Sequence, residues 1–227
     1  MNLQLIKKVS WVGIILYCSF LMSKIVIPYF YQPRDYEFLI TKLHILHLSF
    51  YRVAFLIHIS SSLVVIASGA FLFISISKSK WWKFHRILGR VYVILVLLLA
   101  APSGLIMGYF ANGGLMGQIN FVLLSILWWS FTFLGFKNVI RKNITAHKKW
   151  MIRSFALTLS AISLRVFQMS LPMTLFPDDN IRYVFISCSS WIINLIIAEI
   201  YLSCISRKKR TNLTPNNPQV ILANSSF

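Results

Sequence analysis

Acidic residues are scarce in this chain of 227 residues. There are five, Asp35, Glu37, Asp178, Asp179 and Glu199, against 23 lysines and arginines. Charged residues of both signs make up 12% of the sequence, half of the roughly 25% usual in soluble domains. That is too little polar surface to keep a soluble domain in water. Cysteines number three, Cys18, Cys188 and Cys204, each inside an apolar run and none at CxxC spacing. This argues against a disulfide framework or a metal site and for small buried side chains. No glycine-rich phosphate loop, Ser–His–Asp arrangement or HExxH motif is present. No nucleophile–base pair stands out either, so the sequence does not decide whether the protein is an enzyme.

What the chain has in abundance is apolar surface: 57% of its residues are hydrophobic and the mean hydropathy is +0.70. A helix needs about 20 apolar residues to cross about 30 Å of hydrocarbon. Six stretches meet that requirement, at 9–30, 53–76, 91–110, 118–136, 154–176 and 183–205. The fold class expected is all-α, an integral membrane bundle of about six transmembrane helices with the lipid bilayer as its partner. Lys7 and Lys8 precede the first stretch, but no small-x-small cleavage site follows it, so it reads as an uncleaved span. The domains expected are a first helix with its external loop at 1–52, a five-helix membrane unit at 53–205, and a disordered tail at 206–227.

The net charge of +18 does not point to nucleic acid, because the cations sit in short clusters between apolar runs. Lys78, Lys80, Lys83, Arg86 and Arg90 separate spans two and three. Lys137, Arg141, Lys142, Lys148, Lys149 and Arg153 separate spans four and five, and Arg207 to Arg210 follow span six. The intervening loops carry no charge at 111–117, and Asp178, Asp179 and Arg182 at 177–182. Every second loop is therefore basic, and the positive-inside rule predicts both termini in the cytoplasm.

Ionisable groups at membrane depth are costly and need partners or a purpose. Ser154, Thr158, Ala161, Arg165, Gln168 and Pro172 fall at steps of four and three, along one helical face. Arg165 is about 16 Å beyond Ser154 at 1.5 Å per residue, near the midplane of the expected span. Its face must look into the bundle or a wet cavity. Asn194 lies at a similar depth on span six, with Glu199 nearer the cytoplasm; either can serve as its partner, and Glu199 can instead meet His85, His147 or Arg86 at the cytoplasmic end. The two are about 140° apart around the helix axis, so they do not face one neighbour together. A buried ion pair that only sets helix register accounts for these residues equally well.

His58 falls about one turn inside span two, where an interfacial hydrogen-bonded histidine competes with ligation or proton transfer. His44 lies fourteen residues earlier, a spacing that returns to one face only if a single helix runs through both. Gly104 and Gly108 follow Pro102 at the GxxxG spacing that permits close helix packing. Trp128 and Trp129 are too central for an interfacial belt and are expected to pack in the bundle.

Two segments, 81–90 and 145–153, each place a histidine and then an arginine at the cytoplasmic entrance of a span. His85-Arg86-x-Leu88-Gly89-Arg90-x-Tyr92 and Ala146-His147-x-x-Trp150-Met151-x-Arg153-Ser154 resemble the hallmarks of a bacterial family of predicted membrane proteins known only as a domain of unknown function. His58 before Gly69, Leu164-Arg165, and Asn194 with Glu199 are similar to its pattern as well. The resemblance covers roughly residues 52–205. It implies a bacterial cell membrane, multiple spans and no established activity.

Three functional readings stay open. His58, His85 and His147, with nearby basic groups suited to propionates, point to a b-type haem or quinone-linked redox protein. In that reading His85 and His147 must face one another, while Arg86, Arg90 and Arg153 form the cytoplasmic interface. Alternatively, Arg165, Gln168, Asn194 and Glu199 line a polar cavity of a transporter or small-molecule binding protein. The third reading is a non-catalytic scaffold, in which buried polar groups only specify packing.

Overall fold

The computed structural model describes residues 3–31, 37–72 and 79–211, with side chains described for 10–31, 38–72 and 82–207. Helix α1 spans Leu3–Val26, followed by the short helices α2 (Pro28–Tyr31) and α3 (Glu37–Ile40). Helix α4 covers Ser49–Leu72 and α5 covers Ser79–Ile94. A π-helical turn, Leu95–Ala100, joins α5 to α6 (Ala101–Tyr109). Helix α7 is Gly114–Ile140, α8 is Ile144–Thr158, α9 is Ser160–Ser170 and α10 is Asp179–Thr211. These elements form six spans, Ser10–Tyr31, Ser49–Leu72, Trp82–Tyr109, Gly114–Ile140, Ile144–Ser170 and Asp179–Arg207, each long and apolar enough to cross a bilayer. The chain is thus an all-α protein with six membrane-spanning helices. The expected tail falls largely outside the described residues.

Span one matches the hydropathy reading to within a residue and spans two, four and six to within four; spans three and five depart further, span five beginning at Ile144 instead of 154. Span three begins at Trp82, ahead of the expected 91, because the basic segment continues the helix outward. Span five ends at Ser170 rather than 176, because Leu171 is extended (φ −102°, ψ 103°) ahead of Pro172. The residue before proline is sterically pushed out of the helical region. The same span breaks between α8 and α9 at Leu159. There Thr158 donates to the Ser154 carbonyl (3.1 Å) and Ser160 to the Leu157 carbonyl (2.6 Å), and such back-bonding bends helices. Arg165 therefore sits five residues from the end of α9, about 7.5 Å by helical rise. It lies nearer the end of the span than its middle.

The bundle's polar core follows from its solvent. In hydrocarbon no water satisfies a stray hydroxyl, so such groups pair with one another. Tyr92 hydrogen-bonds with Ser154 (2.9 Å) and Thr158 (2.8 Å), Thr132 bonds with Ser154 (2.7 Å), and the Trp128 indole donates to Thr158 (3.0 Å). Asn120 forms a second knot, donating to Ser187 (3.0 Å) and accepting from the Trp191 indole (2.8 Å). Apolar packing by Val65, Val96, Ala100 and Phe155 surrounds the first knot. Gly108 lets α6 lie against the backbone of α7 at Phe121–Val122, as the GxxxG spacing anticipates. Trp128 is buried as expected, but Trp129 is exposed on the bundle surface, its indole donating to the Leu97 carbonyl that the π-turn frees.

Candidate functional site: a cationic cavity at one end of the bundle

Three loops meet at the end opposite the basic clusters: the turns at 41–47, the α6–α7 connection, and the α9–α10 connection. The middle one is shaped by glycine. Gly113 has φ +86°, which favours a residue without Cβ, and caps the start of α7. One turn on, a Cβ at Gly117 would meet the Asn112 carbonyl oxygen at 1.9 Å. The Asn112 backbone therefore lies flat on α7. Its side chain turns toward the first loop, where its amide donates to Thr41 (3.1 Å). Lys42 donates from the neighbouring position to the Asn112 side-chain oxygen and to the Phe110 carbonyl.

Lys42 is 2% exposed. Burial pushes its ammonium below the ordinary lysine value, since desolvation disfavours charge. Both acceptors are neutral. On the facing wall, Arg182 donates from Nε to the Leu171 carbonyl (3.1 Å) and from Nη2 to the carbonyls of Gln168 (2.8 Å) and Leu171 (2.9 Å). It thereby caps the negative end of the α9 dipole. Arg165 donates to the Gln168 side chain (3.0 Å) one turn below. Among the described residues the ion pair is Arg153–Glu199, and neither Lys42, Arg165 nor Arg182 has a carboxylate partner there. Lys42, Asn112, Gln168, Asp179, Arg182 and Tyr183 line a cavity of about 670 Å³, so one carboxylate lies among its cations.

The residues expected from the sequence divide among several places. Arg165 and Gln168 come together, and Gln168 lines the cavity. Asn194 does not join them: it accepts from Ser163 (3.0 Å) and donates to the Ala156 carbonyl (3.2 Å). Glu199 does not join them either. It takes a two-pronged bond from Arg153 (2.5 and 2.9 Å), whose guanidinium also lies 4.7 Å from the Trp150 ring centre. His58 donates from Nδ1 to the Ala100 carbonyl (2.8 Å); the carbonyl can only accept, which assigns the proton to Nδ1. His147 does the same to the Gly135 carbonyl (2.8 Å). His85 is exposed beside Trp82 and within electrostatic reach of His147 and Lys148. His85 and Ala100 are fifteen residues apart on span three, about 20 Å along the axis. His58 therefore lies far from the other two. Arg86 and Arg90 are exposed on α5. His44 precedes α4, so no single helix links it to His58. Among the described residues no three His, Cys, Asp or Glu side chains gather as metal ligands do.

Lys42, Asn112, Arg182 and Tyr183 were not singled out as site residues. Lys42 shares its loop with Asp35 and Glu37, and Arg182 follows Asp178 and Asp179, so charge along the sequence singled out neither. Residues 55–202 match a family model described as a predicted membrane protein, DUF2306. The match coincides with the stretch over which the sequence motifs suggested an uncharacterised membrane family. Neither a curated protein nor a solved structure matches the chain.

Proposed function

From the premise that the chain belongs to the DUF2306 family of predicted membrane proteins, we propose that it binds a small anionic solute in the cavity between its three loops, as a transporter or binding protein. The observation that carries this is Lys42, buried in the cavity wall with only neutral acceptors among the described residues. An anion entering there offsets, by Coulomb attraction, the hydration that burial removes from the ammonium. Arg182 supports the same charge from the opposite wall. The alternation of basic loops supports an outer face for this cavity and cytoplasmic termini, and the resemblance of the two histidine–arginine motifs supports a bacterial cell membrane.

The test is titration of the purified chain, in lipid nanodiscs, with small carboxylates and inorganic phosphate. Lys42→Met is expected to weaken binding about tenfold or more, the range for a lost charge-assisted hydrogen bond. Equal affinity in Lys42→Met and the native chain sinks the reading.

A second reading, b-type haem, is supported by His147, whose Nδ1 is held by a backbone carbonyl as axial ligands commonly are. His85 lies at the same end of the bundle. A dithionite-reduced spectrum of the haem-supplemented protein decides it: no Soret or α band disposes of that site.

A further inference from the structure

The cavity lining holds charge of both signs, and the two do not meet. Asp179 opens α10, and Arg182 follows it one turn later on the same helix. An acid and an arginine at that spacing are neighbours on a helix surface and ordinarily pair. Here the Arg182 guanidinium is turned away, to the Gln168 and Leu171 carbonyls at the end of α9. Lys42 is likewise held elsewhere, by the Phe110 carbonyl and the Asn112 side chain. The ion pair among the described residues is Arg153–Glu199, at the other end of the bundle. Asp179 therefore brings to the cavity an exposed carboxylate that no ion pair neutralises among those residues.

The backbone keeps the lysine and this acid close without joining them. Asn112, which Lys42 bonds, is followed by Gly113. Gly113 lies against the first turn of α10: a Cβ there would meet the Tyr183 ring at 3.1 Å and the Asn180 carbonyl oxygen at 3.7 Å. Asn180 is the residue after Asp179. Ammonium and carboxylate thus stand on either side of one loop–helix contact, in the lining of one cavity. They differ in setting, since Lys42 is buried and Asp179 is exposed. A plain acid is attracted by Lys42 and repelled by Asp179, and a plain amine meets the reverse. A molecule with an anionic and a cationic group satisfies both.

We propose that the cavity takes a small zwitterion of the amino-acid class, its carboxylate on Lys42 and its ammonium on Asp179. The inference rests on the reading of Lys42 as an anion site. It goes further in assigning Asp179 the choice between an amino acid and a plain acid.

Acids equal in carbon number and differing by one amino group make the comparison: glycine with acetate, β-alanine with propionate, and γ-aminobutyrate with butyrate. In isothermal titration of the full chain in nanodiscs, at least one amino acid is expected to bind about fivefold tighter than its plain partner, the scale of an ion pair that stays partly solvated. Asp179→Asn is expected to bring that ratio to about one without weakening the plain acid. Its site is exposed, so an unchanged melting temperature checks that the fold survives. Asp178→Asn removes the neighbouring carboxylate, which caps the Ile181 amide and is absent from the cavity lining, and is expected to keep the ratio. Lys42→Met weakens both members of the pair. Plain acids that bind as tightly as every amino acid, still sensitive to Lys42→Met, overturn the zwitterion inference and leave the anion site standing. A ratio that persists in Asp179→Asn overturns it too, as does one that Asp178→Asn abolishes equally. Binding of no acid of either kind removes both readings.

Discussion

The two ends of the bundle carry their positive charge differently. At the basic end, Arg86 and Arg90 are exposed, and Arg153 meets a carboxylate, Glu199, that is itself 48% exposed. At the cavity end, Lys42 is buried and Arg165 and Arg182 are partly so. The partners given for all three are carbonyl and amide oxygens. Solvated cations of the first kind mark which side of a membrane a loop occupies. Desolvated cations of the second kind hold unspent attraction for an anion. Counting charges along the chain points to the first end; only burial reveals the second.

That contrast can be broken experimentally. The largest expected effect is all-or-none. On the proposed topology, a cysteine at Ala111, in the cavity end, reacts with an impermeant thiol reagent in intact cells. One at Arg141, in the basic end, reacts only after permeabilisation. Equal labelling of both would remove the assignment of the cavity to the outer face. Next in size is Lys42→Met, at about tenfold or more in anion affinity. Gly117→Val tests the loop that places Asn112. A side chain there must displace the Asn112 carbonyl, so a loss of about 1–3 kcal/mol in thermal stability is expected, together with weakened anion binding. Tyr92→Phe, in the core between the two ends, is expected to cost about 1 kcal/mol, with binding unaffected. The smallest effect belongs to Glu199→Gln. Breaking that half-exposed pair is expected to cost about 0–1 kcal/mol and to leave the cavity untouched. A large loss of anion binding in Glu199→Gln would show that the ends are coupled.

The spans were legible because each is a long apolar run, and Gly108 because small residues at the GxxxG spacing invite close packing. The reading faltered where a local backbone effect outweighed hydropathy. Pro172 lies inside an apolar run, yet it ends the helix two residues earlier and leaves Arg165 close to the end of its span. The polar stripe on span five also divides at Leu159. Ser154 and Thr158 enter the core network, whereas Arg165 bonds Gln168, which lines the cavity. A periodic pattern assumes one straight helix, and here two Ser/Thr back-bonds bend it. Glu199 went to Arg153, not to Arg165, because its depth matches the start of span five rather than the end.

Composition determined the chain's solvent, and the order of its residues determined the number of spans and the alternation of loop charges, since hydrocarbon admits long helices and little else. The partners were decided in three dimensions. Lys42 and Asn112 stand 70 residues apart in sequence, and Arg153 and Glu199 stand 46 apart. Their meetings depend on the rotation and register of neighbouring helices. Hydropathy is blind to both, because lipid rewards any apolar face equally and leaves the choice to packing.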